Sequence, residues 1–106
     1  MTLTKNERDD RRRSTFAEVR YEHQGVAGRG RLGDISKGGF FIETYNPLPE
    51  GSVITFRFVL PRGNPDMPIS GQGTVVWERP LRGMGIRFDR LLPADEARIK
   101  AYLAQH

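Results

Sequence analysis

The sequence predicts an all-β protein: a small six-stranded antiparallel barrel with one C-terminal α-helix and a flexible N-terminal arm. Six short runs of alternating apolar and polar residues lie between Phe16 and Phe88, separated by turns rich in glycine and proline. Helical spacing of apolar residues appears only near the C-terminus, and the first fifteen residues show no periodicity. Closely spaced short strands favour closure into a barrel, with the helix packed against it.

The N-terminal segment, residues 1–15, is predicted to be a flexible basic arm, and residues 16–106 are predicted to form a single domain. The arm carries four arginines within six positions: Arg8, Arg11, Arg12 and Arg13. Apart from Leu3, the arm holds no apolar residue placed to anchor it. Little therefore offsets the entropy that would be lost on fixing this part of the chain.

The first three strands are predicted at "FAEVRY", "VAGRGRL" and "GFFIET". In the first of them, Ala17, Val19 and Tyr21 alternate with charged residues, which is the pattern of a half-buried strand. The intervening "HQG" and "DISKGG" supply residues that favour turns, and "YNPLPEG" ends the third strand with two prolines and a glycine. These runs are therefore read as consecutive antiparallel strands.

The fourth strand, "SVITFRFVL", has the clearest alternation, with Ile54, Phe56, Phe58 and Leu60 on one face. The segment "PRGNPDMP" follows as a loop. The last two strands, "SGQGTVVW" and "GMGIRF", are predicted to pair across the connection "ERPLR". They complete the six strands of the predicted barrel.

The helix is predicted at about 92–105. Leu92, Ile99 and Leu103 recur at near-helical spacing, and Pro93 is tolerated in a first turn. The acids Asp95 and Glu96 suit the positive end of the helix dipole.

Composition excludes several classes of protein. The chain has 106 residues, enough for one domain, and no cysteine, so it has neither disulfides nor thiolate metal sites. No apolar run approaches the roughly 18 residues of a membrane span, and the N-terminus lacks the apolar region of a secretory signal. We therefore expect a cytoplasmic protein. The net charge of +4 favours an anionic partner without choosing among nucleic acid, nucleotide and acidic membrane.

The segment "GRGRLG" matches the glycine spacing of a dinucleotide-binding turn, with Gly28, Gly30 and Gly33. That chemistry requires a strand before the motif and a helix after it. Here the motif lies within a predicted strand and leads into Asp34 without a helix. The glycines are therefore expected to mark a bulge, tight curvature or a close backbone approach.

Catalysis finds little support in the sequence, and we expect the protein not to be an enzyme. The two histidines, His23 and His106, stand apart, and neither H-E-x-x-H nor G-x-S-x-G occurs.

The arm contains R-x-x-x-R, formed by Arg8 and Arg12. A guanidinium can hold a phosphate through two parallel hydrogen bonds and can stack its flat face on a base. Taken alone, the cluster is also consistent with a solvated basic tail that Asp9 and Asp10 partly neutralise.

The segment "DISKGG" contains D-x-S-x-x-G, formed by Asp34, Ser36 and Gly39. A carboxylate accepts two hydrogen bonds, which fits the N1–H and exocyclic amine of guanine. A serine hydroxyl and neighbouring backbone N–H groups can hold a phosphate oxygen, and glycine admits close approach. A turn stabilised by its own aspartate or serine side chain would explain each residue separately.

The two motifs in this order, across a first β-hairpin, resemble the PilZ domain of bacteria. The resemblance covers nearly the whole chain. Arg12 lies just ahead of the first strand, and the segment from Asp34 to Gly39 lies where the second strand gives way to the third. The segment "GQGTVVWERPLRGMGIRF" also resembles the family's last strand pair, with its tryptophan and its Gly-Met-Gly.

The resemblance implies a six-stranded barrel that binds the bacterial second messenger cyclic di-GMP, without a further cofactor. It assigns phosphate clamping and guanine stacking to Arg8 and Arg12, and the guanine edge to Asp34. Ser36 and Gly39 would line the phosphate. Gly38 is an adjacent backbone candidate and Trp77 a candidate wall of the pocket. The implied outputs, reached through a partner protein, are motility, pilus function, exopolysaccharide production or transcription.

This chain departs from the family pattern at Glu7, where many members carry another arginine, and Asp9 and Asp10 lie inside the clamp. These acids would repel phosphate and therefore bear on affinity and stoichiometry. One alternative is a PilZ-type interaction module that does not bind nucleotide. Another is a basic barrel that binds single-stranded nucleic acid, which would require more exposed aromatics than Phe41 and Trp77.

Overall fold

The computed structural model describes residues 17–105 and shows a closed barrel of six antiparallel strands followed by one helix. The elements are β1 (Glu18–His23), β2 (Val26–Ile35), β3 (Gly39–Glu43), β4 (Val53–Phe58), β5 (Ile69–Arg79), β6 (Gly83–Leu91) and α1 (Pro93–Gln105). The predicted fold class is thereby confirmed. The predicted arm, residues 1–15, lies outside the described residues.

The strand order around the barrel is β1-β2-β3-β6-β5-β4, and β4 pairs with β1 to close it. Each of these six strands therefore has hydrogen-bonded neighbours on both sides. The order departs from the chain order where β3 pairs with β6. This long-range pairing brings the end of the β2–β3 turn beside the last strand.

The alternation of apolar and polar residues in β4 matches the alternation of buried and exposed side chains in the structure. Ile54, Phe56 and Phe58 point into the barrel and are at most 3% exposed, whereas the residues between them face solvent. The rings of Phe56 and Phe58 pack with those of Phe40 and Phe88, with centroid separations of 4.9 to 5.9 Å. These rings, together with buried aliphatic side chains of the neighbouring strands, form the core of the barrel.

Glycines in the barrel wall allow close contacts, both between a strand and a core ring and between two neighbouring strands. A Cβ atom added at Gly71 would lie 3.0 Å from Phe56, and one added at Gly39 would lie 1.9 Å from the carbonyl oxygen of Ile86. The glycines of "GRGRLG" lie within β2, which leads into β3 and not into a helix. A dinucleotide-binding turn is therefore excluded, and the expected close approach is found at Gly30, where a Cβ would lie 2.4 Å from Ile42.

The helix is fastened to the barrel by a buried carboxylate. Asp95 is 6% exposed; it accepts a hydrogen bond from the backbone N–H of Ser70 (3.2 Å) and one from the guanidinium of Arg98 (2.6 Å). Arg98 also donates to the carbonyl oxygens of Met67 and Pro68. Together with buried Ile99, these bonds hold α1 against the loop before β5.

The helix begins one residue later than predicted. Leu92 precedes it and is 65% exposed, although its carbonyl oxygen accepts the hydrogen bond of Glu96 N–H (2.9 Å). The apolar contact of α1 with the barrel therefore depends on Ile99 and Leu103. Within residues 17–105, no helix has the length and apolar character needed to cross a bilayer.

We expect Gly39→Ala to lower the free energy of unfolding by about 1–3 kcal/mol, because β3 and β6 must separate to admit the methyl group. Gly38→Ala is the matched control, since a Cβ added there meets nothing within 4 Å. It should leave stability within about 0.5 kcal/mol. Urea titrations of both variants test the difference; equal stabilities would show that the close approach at Gly39 is not a constraint.

We expect Asp95→Ala to cost about 1–3 kcal/mol, because it removes an acceptor from a buried N–H and from Arg98. The neighbouring Glu96→Ala removes only an exposed pair with Lys100, in which the charged atoms are 3.9 Å apart. That variant should change stability by less than about 0.5 kcal/mol. Thermal unfolding of the two variants measures the contrast, and a stable Asp95→Ala would mean that the helix is held without this carboxylate.

Candidate functional site

The turn between β2 and β3 is closed by its own serine. Ser36 N–H donates to the carbonyl oxygen of Gly39 (2.8 Å), and the Ser36 hydroxyl donates to the same oxygen (3.3 Å). The hydroxyl also accepts a hydrogen bond from Gly38 N–H (3.3 Å). The Gly38 carbonyl accepts from Phe88 N–H (2.9 Å), which continues the β3–β6 ladder. Ser36 and Gly39 thus have structural roles in the turn itself.

Asp34 differs from its neighbours in the motif because the turn does not use its side chain. It lies near the end of β2, where the pairing with β3 shifts register between Leu32 and Ile35. Its side chain is exposed, and no hydrogen bond or ion pair links it to any other residue from 17 to 105. With respect to residues 17–105, both carboxylate oxygens are therefore available as acceptors.

An aromatic pair lies beside Asp34 on the outer surface of the barrel. Phe41 of β3 and Trp77 of β5 stack across Gly85 of β6, with ring centroids 5.1 Å apart and planes at 20°. A Cβ at Gly85 would lie 2.3 Å from Nε1 of Trp77, and one at Gly33 would lie 2.9 Å from Phe41. Glycines on neighbouring strands therefore allow the two rings to lie against the sheet.

Two grooves meet at this aromatic pair, and both are lined by Asp34, Phe41 and Trp77. The turn groove, of about 420 Å³, is completed by the turn and the adjoining strands: Ser36, Gly38, Gly39, Val76 and Arg87. The arginine groove, of about 860 Å³, extends along the other side and is completed by Arg29, Arg31, Tyr45, Arg79, Leu81 and Arg82. Of the site residues predicted from the sequence, Asp34, Ser36, Gly38, Gly39 and Trp77 are thus brought together at the turn groove.

The turn groove has little positive charge available from the described residues. Its one arginine, Arg87, donates through Nε to a carboxylate oxygen of Asp89 at 3.0 Å. The Thr74 hydroxyl donates to the other oxygen of Asp89. The hydrogen bonds from Thr74 and Arg87 lower the pKa of Asp89 despite the opposing effect of desolvation. Arg87 is therefore engaged in an exposed ion pair with Asp89.

Ala17, the first described residue, is hydrogen-bonded to the strand that carries Asp34. The carbonyl oxygen of Ala17, just ahead of β1, accepts a hydrogen bond from Leu32 N–H (2.8 Å), two residues before Asp34. Arg8 and Arg12 lie outside the described residues. Arg12 is five residues from Ala17 and Arg8 nine, so an extended chain reaches about 17 Å and about 30 Å respectively.

Sequence reasoning did not find the arginine groove. Arg29 and Arg31 occupy outward positions of β2, which the alternation indicates, but nothing local shows that Arg79 and Arg82 lie on the same side of the barrel. For Phe41, the sequence indicates only an exposed aromatic side chain. Among residues 17–105, no group of three or more histidine, aspartate or glutamate side chains is placed to hold a metal ion.

Two solved structures resemble the barrel. One is the Bacillus subtilis inhibitor of motility, MotI/DgrA, with a TM-score of 0.72 and 16% identity over 87% of this chain and 47% of that chain. This chain therefore spans about half the length of MotI/DgrA. The other is the PilZ domain of CeSA from a cellulose-synthesizing bacterium, with a TM-score of 0.62 and 18% identity over 86% of this chain and 94% of that chain.

Sequence similarity to curated proteins is not detected. At identities below one fifth, the two structural likenesses concern the fold alone. The family model for the PilZ domain, however, matches residues 5–105, which includes both sequence motifs as well as the whole barrel. The chain belongs to the PilZ domain family.

Proposed function

We propose that the protein is a receptor for cyclic di-GMP that passes the binding signal to a partner protein. The observation that carries the proposal is the position of Asp34, an exposed carboxylate without a partner among residues 17–105, beside a stacked aromatic pair. The nucleotide would lie in the turn groove, with Phe41 and Trp77 as one wall. A receptor for an intracellular messenger is expected in the cytoplasm.

Base recognition is attributed to Asp34. A guanine presents two donors on one edge, the N1–H and the exocyclic amine, and an ionised carboxylate offers two acceptors at matching spacing. Adenine has no N1–H and no amine at that position. The bare backbone of Gly38, where an added Cβ would meet nothing within 4 Å, leaves room for a phosphate near the turn.

Phosphate recognition is attributed to Arg8 and Arg12. The ligand carries two phosphate charges, and the lining cation Arg87 is already bound to Asp89. Arg8 and Arg12 would supply further positive charge: Ala17, five residues after Arg12, accepts a hydrogen bond from Leu32 N–H, two residues before Asp34. Arginines hold phosphate through paired hydrogen bonds and can also cover a base with the guanidinium plane.

The proposed output is control of motility, pilus function or exopolysaccharide production through a partner. Family membership supports a receptor or adaptor role and not catalysis. MotI/DgrA, whose fold is similar, is described as an inhibitor of motility, which makes motility control one candidate output for this chain.

A second candidate is a PilZ-type interaction module that does not bind nucleotide. The favouring observation is that the hydroxyl of Ser36 is already used within the turn, where it donates to Gly39 and accepts from Gly38. The turn thus has a structural explanation that needs no ligand. The carboxylate of Asp34, which has no partner among residues 17–105, has no such explanation, and for this reason the receptor is the preferred proposal.

We expect Arg8→Ala and Arg12→Ala each to weaken cyclic di-GMP binding about ten- to a hundredfold, because each removes a charge-assisted phosphate contact. Isothermal titration calorimetry measures the change. Arg90→Ala, an exposed arginine of β6 that lines neither groove, is the control and should bind like the wild type. Absence of heat with the wild-type protein, together with no ligand-dependent rise in melting temperature, would favour the interaction module.

We expect Asp34→Ala to lose discrimination between cyclic di-GMP and cyclic di-AMP, since only guanine has the two donors that the carboxylate accepts. Competition of the two nucleotides for wild type and variant gives the ratio of affinities. Asp66→Ala, in the exposed loop before β5, controls for the loss of one negative charge. A wild type that binds both nucleotides equally would contradict the role given to Asp34.

A further inference from the structure

We infer that the arginine groove is a docking surface for an acidic segment of a partner protein that also presents an apolar side chain. The groove lies on the opposite side of the aromatic pair from the turn groove and is the larger of the two, at about 860 Å³. Its four arginines take no part in the guanine and phosphate contacts proposed above, although Asp34, Phe41 and Trp77 line both grooves.

The net positive charge of the arginine groove favours an anionic ligand. Four arginines line it, against the carboxylates of Asp34 and Glu43. Glu43 pairs with Arg31 at 3.6 Å, and Arg29 pairs with Glu18 at 3.5 Å. These pairs are exposed and therefore weak, so an incoming carboxylate can compete for the arginines.

Arg79 and Arg82 supply the uncompensated charge. Within residues 17–105, no carboxylate lies within ion-pair distance of either guanidinium. The two residues flank the tip of the β5–β6 hairpin, where Arg82 N–H donates to the carbonyl oxygen of Arg79 at 3.0 Å. The hairpin thus holds two positive charges at the rim of the groove.

Leu81, between them, is an exposed aliphatic side chain in an unfavourable backbone conformation. It is 72% exposed and has a φ angle of +67°, in the left-handed region. It follows Pro80 in a four-residue turn, at a position with positive φ that glycine or asparagine normally occupies. Folding does not require leucine here, and an apolar contact outside the barrel would explain it.

Protein fits this surface better than single-stranded nucleic acid does. Base stacking needs free aromatic faces, but the ring of Trp77 is stacked with Phe41, and the Arg79 guanidinium lies over it at 5.5 Å from the centroid. The most exposed apolar groups, Leu81 and Tyr45, include only one aromatic ring. An acidic peptide with an apolar residue matches both the arginines and Leu81.

The position of the groove also suggests how docking would be regulated. Asp34, Phe41 and Trp77 line both grooves, so a nucleotide that moves these side chains changes the docking surface. This coupling rests on the proposed function, whereas the docking itself does not.

The test uses the full chain and a fluorescently labelled synthetic peptide in which glutamate and leucine alternate. Fluorescence anisotropy should show binding that weakens as salt is added. Arg79→Glu/Arg82→Glu should reduce affinity at least about tenfold. The control, Arg57→Glu/Arg90→Glu, changes two exposed arginines outside the groove and should bind as the wild type does.

The variant Leu81→Gly distinguishes an effect on peptide docking from an effect on folding. Glycine suits the positive φ, so the melting temperature should not fall, yet peptide affinity should fall severalfold; Leu81→Asn should behave in the same way. Failure of the peptide to bind, or equal binding by both double variants, would overturn the inference. So would tighter binding of a short oligothymidylate that needs Arg79 and Arg82 but not Leu81.

Titration of the same proteins with cyclic di-GMP keeps the two proposals apart. Peptide binding without nucleotide binding would support the docking surface and refute the receptor. Nucleotide binding without peptide binding would refute only the docking surface.

Discussion

The packing of phenylalanine rings inside a barrel of only six strands is the constraint on which the rest of this structure depends. Phe40, Phe56, Phe58 and Phe88 fill the interior in mutual contact. Phe56 lies against wall positions without side chains, Gly71 and Gly73, and Gly39 separately permits the tight β3–β6 pairing. The core side chains point inward, and both grooves lie on the outer surface, where the side chains that line them are.

The outer surface repeats the same arrangement of aromatic rings over glycines. Phe41 lies over Gly33 and Gly83, and Trp77 lies over Gly85. A stacked pair held in this way is a fixed wall, against which an exposed carboxylate such as Asp34 has a defined position. The proposed ligand site is therefore built from outward residues of four neighbouring strands and depends on the barrel for its geometry.

Features that repeat locally could be predicted from the sequence, and features that depend on distant pairing could not. Alternation in β4 predicted its buried face, and the two motifs indicated the family. The stacking of Phe41 on Trp77 follows only from the order β3-β6-β5, which no local pattern contains. Asp95 fitted a helix start, but its bond to Ser70 joins distant parts of the chain. The helix was predicted from about Leu92, one residue too early, because apolar spacing does not show where a helix begins.

The closed ladder of backbone hydrogen bonds has a consequence for evolution. A protein with an open sheet edge can acquire partners through strand addition, where the backbone supplies affinity for almost any extended sequence. Here all six strands of the described barrel are already paired on both sides, so strand addition is not available to them. New specificity must arise through side chains on the outer face, each replaceable without disturbing the barrel. Relatives with this fold can therefore diverge in what they recognise while their cores remain the same.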